Sequence, residues 1–398
     1  MAKIKVINSK EFKSEFMKTI ESSNINLLLG AGFSYGIADT LGNTEKILEL
    51  IDKYNKDDKF TVIEAFMYWN FYSKTIYPLC QKVNDRNLKN QINFVRNWMN
   101  ILSNRESAVI NKQANIFTTN YDIVLEYAFE SNFIDYNDGF KGRINPYFST
   151  TNFNRLYFER AIFTNRSVEI PIFNLLKLHG SVTWKIEESK QRRIVYNEYI
   201  KSIENFNRQY EDFFTVTNKD VVDKLKVNII TITDWNKCDE KTLADIIPVE
   251  SDKIKRGCIE FVKNFKESFK IVNPTKQKFN DTLMDKNYYE LMRIYSNELE
   301  KNNTVLLVQG FSFEDEHIQE ITMRALGNPS LTVIIFAFNE DDITSYCEKF
   351  EKYQNVWIVK APDPNEADLK DGKKEILFDL PLLNSKLVGL FGEFKDEL

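Results

Sequence analysis

Three polar side chains of this sequence have the types and positions that chemistry at a sugar carbon requires. Asn120 and Asp122 stand together in Thr118-Thr-Asn120-Tyr-Asp122, after one apolar segment, and His179 follows another. Cleaving an N-glycosidic bond develops an oxocarbenium-like cation, so the site needs oriented polar groups around the ribose and a base for the attacking water or hydroxyl. An amide, a carboxylate and an imidazole meet these needs. Alternatively, Asn120 and Asp122 could simply cap the next helix, and His179 could be a hydrogen-bonded core residue.

A glycine turn supplies a second candidate site. Gly30-Ala31-Gly32 follows the apolar segment Asn26–Leu29, and Ser34 comes just after the turn. Backbone N–H groups in such a turn can meet a pyrophosphate at the positive end of a helix. The next glycine is Gly36, which departs from the dehydrogenase spacing G-x-G-x-x-G, and the P-loop pattern is absent. Hydride transfer and hydrolysis of nucleoside triphosphates are therefore disfavoured.

The same turn also matches the nucleophile elbow of serine hydrolases. Gly32-Phe-Ser34-Tyr-Gly36 fits G-x-S-x-G, and an aspartate with His317 would complete a triad in the order Ser, Asp, His. However, such hydrolases build several strands before the elbow, and only 31 residues precede Gly32. We therefore favour Ser34 as a phosphate ligand over Ser34 as a nucleophile.

Cysteine and histidine spacing argues against a metal centre. The four cysteines stand at 80, 238, 258 and 347 and form no C-x-x-C pair, and the chain has two histidines, His179 and His317. Zinc ribbons need paired cysteines, and H-E-x-x-H metalloenzymes need two histidines on one helix. We expect no metal cofactor.

Composition and charge indicate a globular protein with ample material for a core. Of the 398 residues, 43% are hydrophobic and 28% are charged, and 53 basic against 58 acidic residues leave a net charge of −5. This balance excludes a mainly disordered chain and gives no basic footprint for sequence-specific nucleic-acid binding.

No apolar run approaches the roughly 20 residues of a membrane span, and the first residues lack a hydrophobic signal core. We expect a cytoplasmic protein without membrane contact, and we interpret the terminal Lys395-Asp-Glu-Leu398, which spells a retention signal, as chance.

Apolar segments that alternate with helical patterns must position these side chains. Strands are predicted at Asn26–Leu29, Asn115–Thr118, Phe173–Leu178, Thr304–Gln309, Leu331–Phe338 and Val356–Val359. Polar motifs directly after strands are typical of an open parallel sheet with its ligand at the carboxyl edge. The sequence therefore predicts an α/β fold with a Rossmann-like parallel sheet in a single domain, residues 1–398. Two insertions are predicted, a helical lobe at about 44–105 and a mixed segment at about 185–300 with a β-like stretch at Asn228–Thr233.

Four motifs of the sequence resemble those of the sirtuin family. They are the glycine turn, Thr118-Thr-Asn120-Tyr-Asp122, Leu178-His179-Gly180 and Gly310-Phe-Ser312, in this order and each after a strand segment. Within that family, Lys177-Leu-His179-Gly-Ser and Gly310-Phe-Ser-Phe-Glu-Asp315-Glu-His317-Ile are similar to the sirtuin-like proteins of bacterial anti-phage defence, which hydrolyse NAD. The motifs extend from residue 26 to about residue 340 and leave the two insertions outside the shared pattern.

The resemblance implies a role for each motif residue. Asn120 would hold the nicotinamide ribose and position water, Asp122 would bind the carboxamide or orient the ribose, and His179 would act as the base. The residues that bind the rest of the dinucleotide would be Gly30, Ala31, Gly32 and Ser34 at the pyrophosphate, Gly310 and Ser312 on the phosphate and adenosine-ribose side, and Asn339 at the adenosine ribose.

Two departures from the family pattern separate this sequence from the protein deacylases. Deacylase sirtuins carry a structural zinc on two C-x-x-C pairs, which are absent here, and the proline, phenylalanine and arginine after the first motif are replaced around Ala38-Asp39-Thr40. Both departures favour an NAD+ glycohydrolase, which uses NAD+ as its substrate and releases nicotinamide and ADP-ribose. The alternatives are a catalytically silent scaffold or sensor subunit that binds NAD or ADP-ribose, and a zinc-free protein deacylase.

Unregulated cleavage of NAD would deplete the host cell, so the resemblance implies control by assembly or by a trigger. It suggests a homo-oligomer, or a partner such as a HerA-type ATPase or an Argonaute protein. Two segments are the expected assembly surfaces, the helices at 44–103 and the apolar C-terminal segment Ile376–Leu398 with Leu377, Phe378, Leu380, Leu382 and Leu383.

Overall fold

The apolar segments of the sequence form the centre of a parallel sheet of eight strands. The described residues also form two smaller sheets, one of four strands and one of two. The computed structural model describes residues 2–38, 44–54, 60–105, 110–160, 163, 167–187, 193–230, 232, 238–246, 252–269, 282–364 and 375–392. In chain order the strands are β1 (Lys3–Val6), β2 (Asn24–Leu29), β3 (Gln113–Thr118), β4 (Tyr136–Asn137), β5 (Phe140–Lys141), β6 (Tyr147–Phe148), β7 (Phe158–Arg160), β8 (Ser167–Glu169), β9 (Ile172–Lys177), β10 (Trp184–Glu187), β11 (Arg193–Tyr196), β12 (Thr304–Gln309), β13 (Leu331–Phe336) and β14 (Val356–Lys360).

Helices make up most of the remaining described structure. In chain order they are α1 (Lys10–Ser22), α2 (Thr44–Tyr54), α3 (Thr61–Phe71), α4 (Leu79–Lys82), α5 (Lys89–Ser103), α6 (Val124–Glu130), α7 (Tyr199–Asp212), α8 (Lys219–Ile230), α9 (Glu240–Ile246), α10 (Asp252–Ser268), α11 (Thr282–Leu299), α12 (Glu316–Ala325), α13 (Glu340–Lys349) and α14 (Leu380–Phe391). Short 3-10 segments lie at Ala31–Ser34 and Thr150–Asn154, and π-helical segments at Tyr72–Ile76 and Phe213–Thr217. Within the described ranges, none of these helices combines the length and the apolar character that a bilayer span requires.

The order of the strands reverses direction at β2. From β2 the chain proceeds to β3 and β9 on one side, and it returns at β12 on the other side before continuing to β13 and β14. Neighbours in the sheet β1-β14-β13-β12-β2-β3-β9-β4 are parallel throughout. This is the doubly wound order of a Rossmann-like fold, whose ligands bind outside the carboxyl ends of the strands at the reversal. The predicted fold class is therefore confirmed, and its crevice lies at the ends of β2 and β12.

The central strands are buried on both faces of the sheet. In β2, Leu27 and Leu29 belong to the apolar core that includes α1 and the helical lobe, whereas Leu28 belongs to the core on the α11 and α12 face. Successive side chains of a strand point to opposite faces, so a strand covered on both sides has a continuous apolar sequence. For this reason the sequence alone located both ends of each predicted strand to within two residues.

A row of asparagines crosses four neighbouring strands inside the sheet. Asn115 Nδ2 donates to Asn26 Oδ1 at 2.9 Å, Asn174 Nδ2 donates to Asn115 Oδ1 at 2.9 Å, and Asn137 Nδ2 donates to Asn174 Oδ1 at 3.0 Å. The row, from β2 through β3 and β9 to β4, follows the register of the strands, and Asn26 at its end is fully buried. Each amide satisfies its neighbour only if the strands stay aligned, so the row fixes their register.

The two predicted insertions pack against each other through aromatic side chains. Helix α3 of the first lies along α10 of the second. Tyr68 stacks on Phe265 with ring centroids 4.7 Å apart, and Trp69 stacks on Phe214 at 4.9 Å. Stacked aromatic pairs add to the apolar area that they bury.

The β-like stretch predicted at Asn228–Thr233 is wrong, because Asn228, Ile229 and Ile230 complete α8. The β-branched residues favour a strand by propensity alone. Val222 and Leu225 are buried, and Ile229 packs against the same core, a spacing of three and four that only a helix satisfies. Tertiary packing therefore overrides the local propensity; Thr233 itself lies outside the described residues.

Several strands were not predicted from the sequence. The edge strand β1 pairs with β14, and the short β4 pairs with β9. Smaller antiparallel sheets have the order β10-β11-β6-β5 and the pair β7 with β8. Most of these strands are two to four residues long, which is too short for hydrophobic periodicity to distinguish them from loops.

The C-terminal segment is folded onto the chain itself. Helix α14 packs along α5, and Asn384 Nδ2 donates to Asn90 O at 2.8 Å. Phe378, Leu380 and Leu383 are buried in this contact region, whereas Leu377 is exposed. Most of the apolar side chains that motivated the expected assembly surface at Ile376–Leu398 are therefore covered within the chain, and assembly through this segment stays a prediction; residues 393–398 lie outside the described ranges.

The asparagine row predicts a ranking of two substitutions. Asn115→Leu leaves an acceptor on Asn26 and a donor on Asn174 without their partner, which should lower the free energy of unfolding by about 2–3 kcal/mol. Asn26→Leu breaks one bond and removes a buried Nδ2 that has no hydrogen-bond partner, so its cost should be smaller. Urea unfolding of both variants measures this difference, and an equal or larger loss for Asn26→Leu would contradict the row as a register device.

Candidate active site

The predicted motifs start from one level of the sheet. Gln309 of β12 pairs with Leu29 of β2, Leu29 with Thr118 of β3, and Thr118 with Lys177 of β9. These four neighbouring strands therefore end together, and the segments that carry the predicted site residues leave the sheet side by side. The fold thus brings the motifs after Leu29 and Gln309, which are 280 residues apart in the sequence, to the same edge of the sheet.

Three glycines form the junction between the turns after β2 and β12, which we call the glycine junction. A Cβ on Gly30 would collide with Gly310 O and lie 2.7 Å from Phe311 Cα, and a Cβ on Gly32 would lie 2.7 Å from Gly310 Cα. Gly310 itself has a φ of +63° and would place a Cβ 2.6 Å from Phe33 N. Real Cβ atoms do not approach backbone this closely, so glycine is required at all three positions.

The glycine junction already uses part of the predicted phosphate cradle. The N–H of Gly30 donates to Gln309 O at 3.1 Å, and the N–H of Gly32 donates to Gly310 O at 2.9 Å. The N–H of Ala31, an exposed residue, donates to no acceptor within the described ranges. Of these three amides, Ala31 is therefore the one available to an anion.

Asn120, Ser34 and Asp122 form one hydrogen-bonded cluster beside the glycine junction. Asn120 Nδ2 donates to Gly30 O at 2.9 Å and to Ser34 Oγ at 3.0 Å, and Ser34 Oγ donates to Asp122 Oδ2 at 2.7 Å. All three side chains are buried. The predicted phosphate ligand Ser34 thus links the two predicted catalytic residues of the β3 motif.

The cluster leaves one atom of Asn120 unused. Both hydrogens of its amide are donated within the cluster, and its backbone N–H donates to Thr118 Oγ1 at 3.0 Å. Within the described structure no donor reaches Asn120 Oδ1, and this oxygen is not fully enclosed. Asp122 differs, because its Oδ1 accepts from the N–H of Val124 at 3.0 Å and so also orients the start of α6. The arrangement presents an oriented amide oxygen to a ligand.

A buried ion pair supports the β3 motif from behind. Lys177 Nζ lies 2.7 Å from Glu126 Oε1, and it also donates to the carbonyl oxygen of Asp122. Burial raises the pKa of the Glu126 carboxyl, and the positive charge of Lys177 only partly opposes this. Lys177 therefore ties β9 to the loop that holds Asn120 and Asp122.

His179 is paired with a residue from the far side of the crevice. Its Nε2 lies 3.0 Å from Asp315 Oδ2, and both side chains are nearly buried. The ring of Tyr288 on α11 lies beside it, with centroids 6.3 Å apart. The structure thus joins His179 to the segment after β12, and it joins Asn120 to the segment after β2.

Two side chains of α13 hold the segment after β12 in place by donating to its carbonyl oxygens. Tyr346 donates its hydroxyl to Phe311 O at 2.9 Å, and Lys349 Nζ donates to Ser312 O at 2.8 Å. Phe313 is buried with a φ of +59°, which is uncommon for a residue with a side chain. Ser312 was predicted to contact phosphate or ribose, and its side chain is exposed.

Asn339 lies farther along the same edge of the sheet, at the end of β13. Its Oδ1 caps α13 by accepting from the N–H of Asp342 at 2.8 Å. With Ile343, Lys360 and Glu375 it lines a cleft of about 100 Å³. Asn339 is therefore not part of the Asn120 cluster, and its predicted contact with an adenosine ribose would have to be made through this cleft.

The remaining predicted residues have clear positions or lie outside the described ranges. Asp315 caps α12, and His317 is exposed in the first turn of that helix. Ala38 is buried, whereas Asp39 and Thr40 are outside the description. Among the residues that the structure describes, no group of three or more His, Cys, Asp or Glu side chains could hold a metal ion.

Sequence reasoning missed the residues that support the site. Gln91 of α5 donates to Phe33 O at 2.9 Å, and Lys177 and Glu126 form the buried pair. A lysine at the end of a buried strand was a usable signal, because a charge at such a position needs a partner. Nothing in the local sequence of Gln91 or Asp315 indicates which distant residue each one contacts.

One comparison with known proteins bears on this site. The family model described as SIR2-like domain matches residues 114–224, from β3 into α8. The match includes Asn120, Asp122, Lys177 and His179, and both segments of the glycine junction lie outside it. This part of the chain is therefore similar to SIR2-like domains. A search of curated proteins gave no significant match.

The glycine junction predicts that an alanine destabilises the protein strongly at Gly30 but only slightly at Gly36. Gly30→Ala forces a Cβ against backbone atoms that cannot move aside, and we expect a loss of at least about 3 kcal/mol in the free energy of unfolding. Gly36 has a φ of +86° but open space around its Cα, so Gly36→Ala should cost only about 1 kcal/mol. Thermal or urea unfolding distinguishes them, and similar losses would argue against the close approach.

The raised pKa of Glu126 predicts a pH dependence with a defined sign. A carboxyl whose pKa is raised in the folded state favours folding while it is protonated, and this contribution is lost as the pH rises through the folded-state value. The free energy of unfolding of the native protein, relative to Glu126→Gln, should therefore fall as the pH rises above the ordinary carboxyl pKa of 4.5. Urea titrations at several pH values measure this difference. A difference that grows with pH would mean that the attraction to Lys177 outweighs burial.

Proposed function

We propose that this protein is an NAD+ glycohydrolase that cleaves the bond between nicotinamide and ribose. The observation that carries the proposal is the arrangement of Asn120, whose amide hydrogens are both donated to Gly30 O and Ser34 Oγ while its Oδ1 remains available. This oxygen lies at the edge of the sheet where a Rossmann-like fold binds a dinucleotide. The similarity of residues 114–224 to SIR2-like domains supports the same reading, because sirtuins use NAD.

The proposed reaction uses water and needs one base. The C1′–N bond breaks, its electron pair leaves with nicotinamide, and the oxygen of water forms the new bond to C1′. Asn120 Oδ1 would accept a hydrogen bond from that water or from a ribose hydroxyl, and His179 would take the proton that water loses. The products are nicotinamide, ADP-ribose and one proton. Preorganised acceptors stabilise the cationic transition state without rearranging, which is the function that a tightly bonded Asn120 cluster would serve.

The rest of the dinucleotide would lie along the same sheet edge. The available N–H of Ala31 suits a pyrophosphate oxygen, and the cleft beside Asn339 would take part of the adenosine half. Gly30, Gly32 and Gly310 would contribute by leaving the approach to the crevice free of side chains, since the N–H groups of Gly30 and Gly32 are already donated within the chain. Asp122 would act mainly through its bond to Ser34, which keeps Asn120 oriented.

The biological setting that we propose is NAD depletion in bacterial anti-phage defence. The lack of C-x-x-C pairs in the sequence disfavours the zinc-bearing deacylases of the sirtuin family. An NAD hydrolase of this kind must be silent until a trigger or an assembly step activates it. A homo-oligomer, or a complex with a HerA-type ATPase or an Argonaute protein, would provide that control.

The test measures, by chromatography, how much nicotinamide and ADP-ribose the protein releases from NAD+. The protein is assayed alone and together with the product of a neighbouring gene. Asn120→Ala should lower turnover at least about 100-fold, and His179→Ala by about 10²- to 10⁴-fold. His317→Ala is the matched control, because it removes the other histidine, which is exposed in α12, and should leave turnover unchanged. Unfolding midpoints of all variants separate lost catalysis from lost folding.

Two outcomes would overturn the proposal. Tight binding of NAD+ or ADP-ribose without turnover in any assembly would make the protein a binding scaffold or sensor. Nicotinamide release that requires an acyl-lysine peptide would make it a deacylase. Release that needs no peptide and is lost in both site variants supports the hydrolase.

A further inference from the structure

The carboxylate of Asp315 has two oxygens with separate contacts. Oδ1 accepts the N–H groups of His317 at 3.0 Å and Ile318 at 3.1 Å and so caps α12. Oδ2 lies 3.0 Å from Nε2 of His179. The cap fixes the carboxylate on α12 in a defined orientation, and the second oxygen is directed at the imidazole.

This contact crosses the mouth of the crevice. His179 follows β9 and Asp315 follows β12, and two strands, β3 and β2, lie between them in the sheet. With strands about 4.8 Å apart, the pair bridges about 14 Å measured across the sheet. It therefore encloses the carboxyl ends of β2 and β3, from which Gly30 and Asn120 project.

Asp315 is held independently of His179. The hydroxyl of Tyr346 and the amine of Lys349 bind the carbonyls of Phe311 and Ser312, and Phe313 keeps a positive φ of 59° with its ring buried. A non-glycine residue in this conformation is strained and persists only where surrounding contacts impose it. The segment after β12 thus sets the position of the carboxylate, to which the imidazole then adapts.

We propose that Asp315 is a positioning residue that keeps the proton of neutral His179 on Nε2, so that Nδ1 is the base; this rests on the proposed function. A neutral imidazole has one donor and one acceptor nitrogen, and a carboxylate can only accept. The nitrogen that faces Asp315 must therefore carry the proton. Within the described structure no donor or acceptor contacts Nδ1, and that atom is not fully enclosed.

The geometry of the pair needs only a small adjustment. Nε2 of His179 and Oδ2 of Asp315 are 3.0 Å apart, which is a hydrogen-bond distance, but the two groups are not aligned, and within the described residues Nε2 has no aligned hydrogen-bond partner. The terminal torsion of histidine is soft, and such bonds often align only when a ligand fills the site. A modest ring rotation would complete the bond.

Asp315→Asn separates the two contacts of the residue. Asparagine caps helices about as well as aspartate, so α12 keeps its cap through the side-chain oxygen. The amide nitrogen would then face Nε2 and donate to it, which moves the ring proton to Nδ1. Asp379→Asn is the matched control, because Asp379 caps α14 in the same way, accepting from the N–H of Leu382 at 2.9 Å.

The first readout is the tautomer itself and does not depend on turnover. The chain has two histidines, so ring-nitrogen NMR of the ¹⁵N-histidine-labelled protein yields two sets of signals, and His317→Gln identifies those of His179. At a pH above the usual range of histidine titration, we expect His179 to be protonated on Nε2 in the native protein and on Nδ1 in Asp315→Asn. An Nδ1–H tautomer in the native protein, or a tautomer unchanged by the substitution, would overturn the inference.

The second readout is the division between kcat and KM for NAD+ cleavage. Asp315→Asn should lower kcat at least about 100-fold with little change in KM, whereas Asp379→Asn should change neither. Equal kcat for Asp315→Asn and native protein would also overturn the inference. If no condition gives NAD+ cleavage, the proposed function fails, and the NMR result alone decides whether Asp315 sets the tautomer.

Discussion

The close approach of backbone at the glycine junction is the constraint on which the rest of the site depends. Gly30 and Gly32 meet Gly310 with no room for a side chain, so the turns after β2 and β12 share one surface. The carbonyl of Gly30 orients Asn120, and the segment that begins at Gly310 carries Asp315. A wider junction would separate these two parts of the crevice, because each is attached to one side of it.

Polar groups buried behind the site then hold each functional atom in place. Lys177 and Glu126 support the loop of Asn120, and Ser34 links Asn120 to Asp122. Such networks are costly when incomplete and rigid when satisfied, so they specify one arrangement. The site is therefore built mainly from residues that contact other residues of the chain, and only a few atoms remain available to a ligand. This is the pattern expected of preorganised electrostatics.

The sequence predicted the parts of this architecture that depend on local pattern. Continuously apolar strands such as β12, and polar motifs at their ends, are visible in one chain because burial on both faces leaves a distinct signature. Asn228–Ile230 was misassigned because packing overrode propensity, and the asparagine row was missed because single asparagines in strands look like interruptions until their register is known. The pairing of His179 with Asp315 depends on a loop conformation, including the positive φ of Phe313, that no spacing rule encodes.

The parallel pairing of β2 with β12 also has a consequence for synthesis. Asn24–Leu29 emerges from the ribosome some 280 residues before its partner Thr304–Gln309, and β1 waits still longer for Val356–Lys360. Translation at about 5–20 residues per second leaves that side of β2 uncovered for many seconds. A nascent chain that lacks β12 also lacks Gly310 and Asp315, so the crevice is completed late.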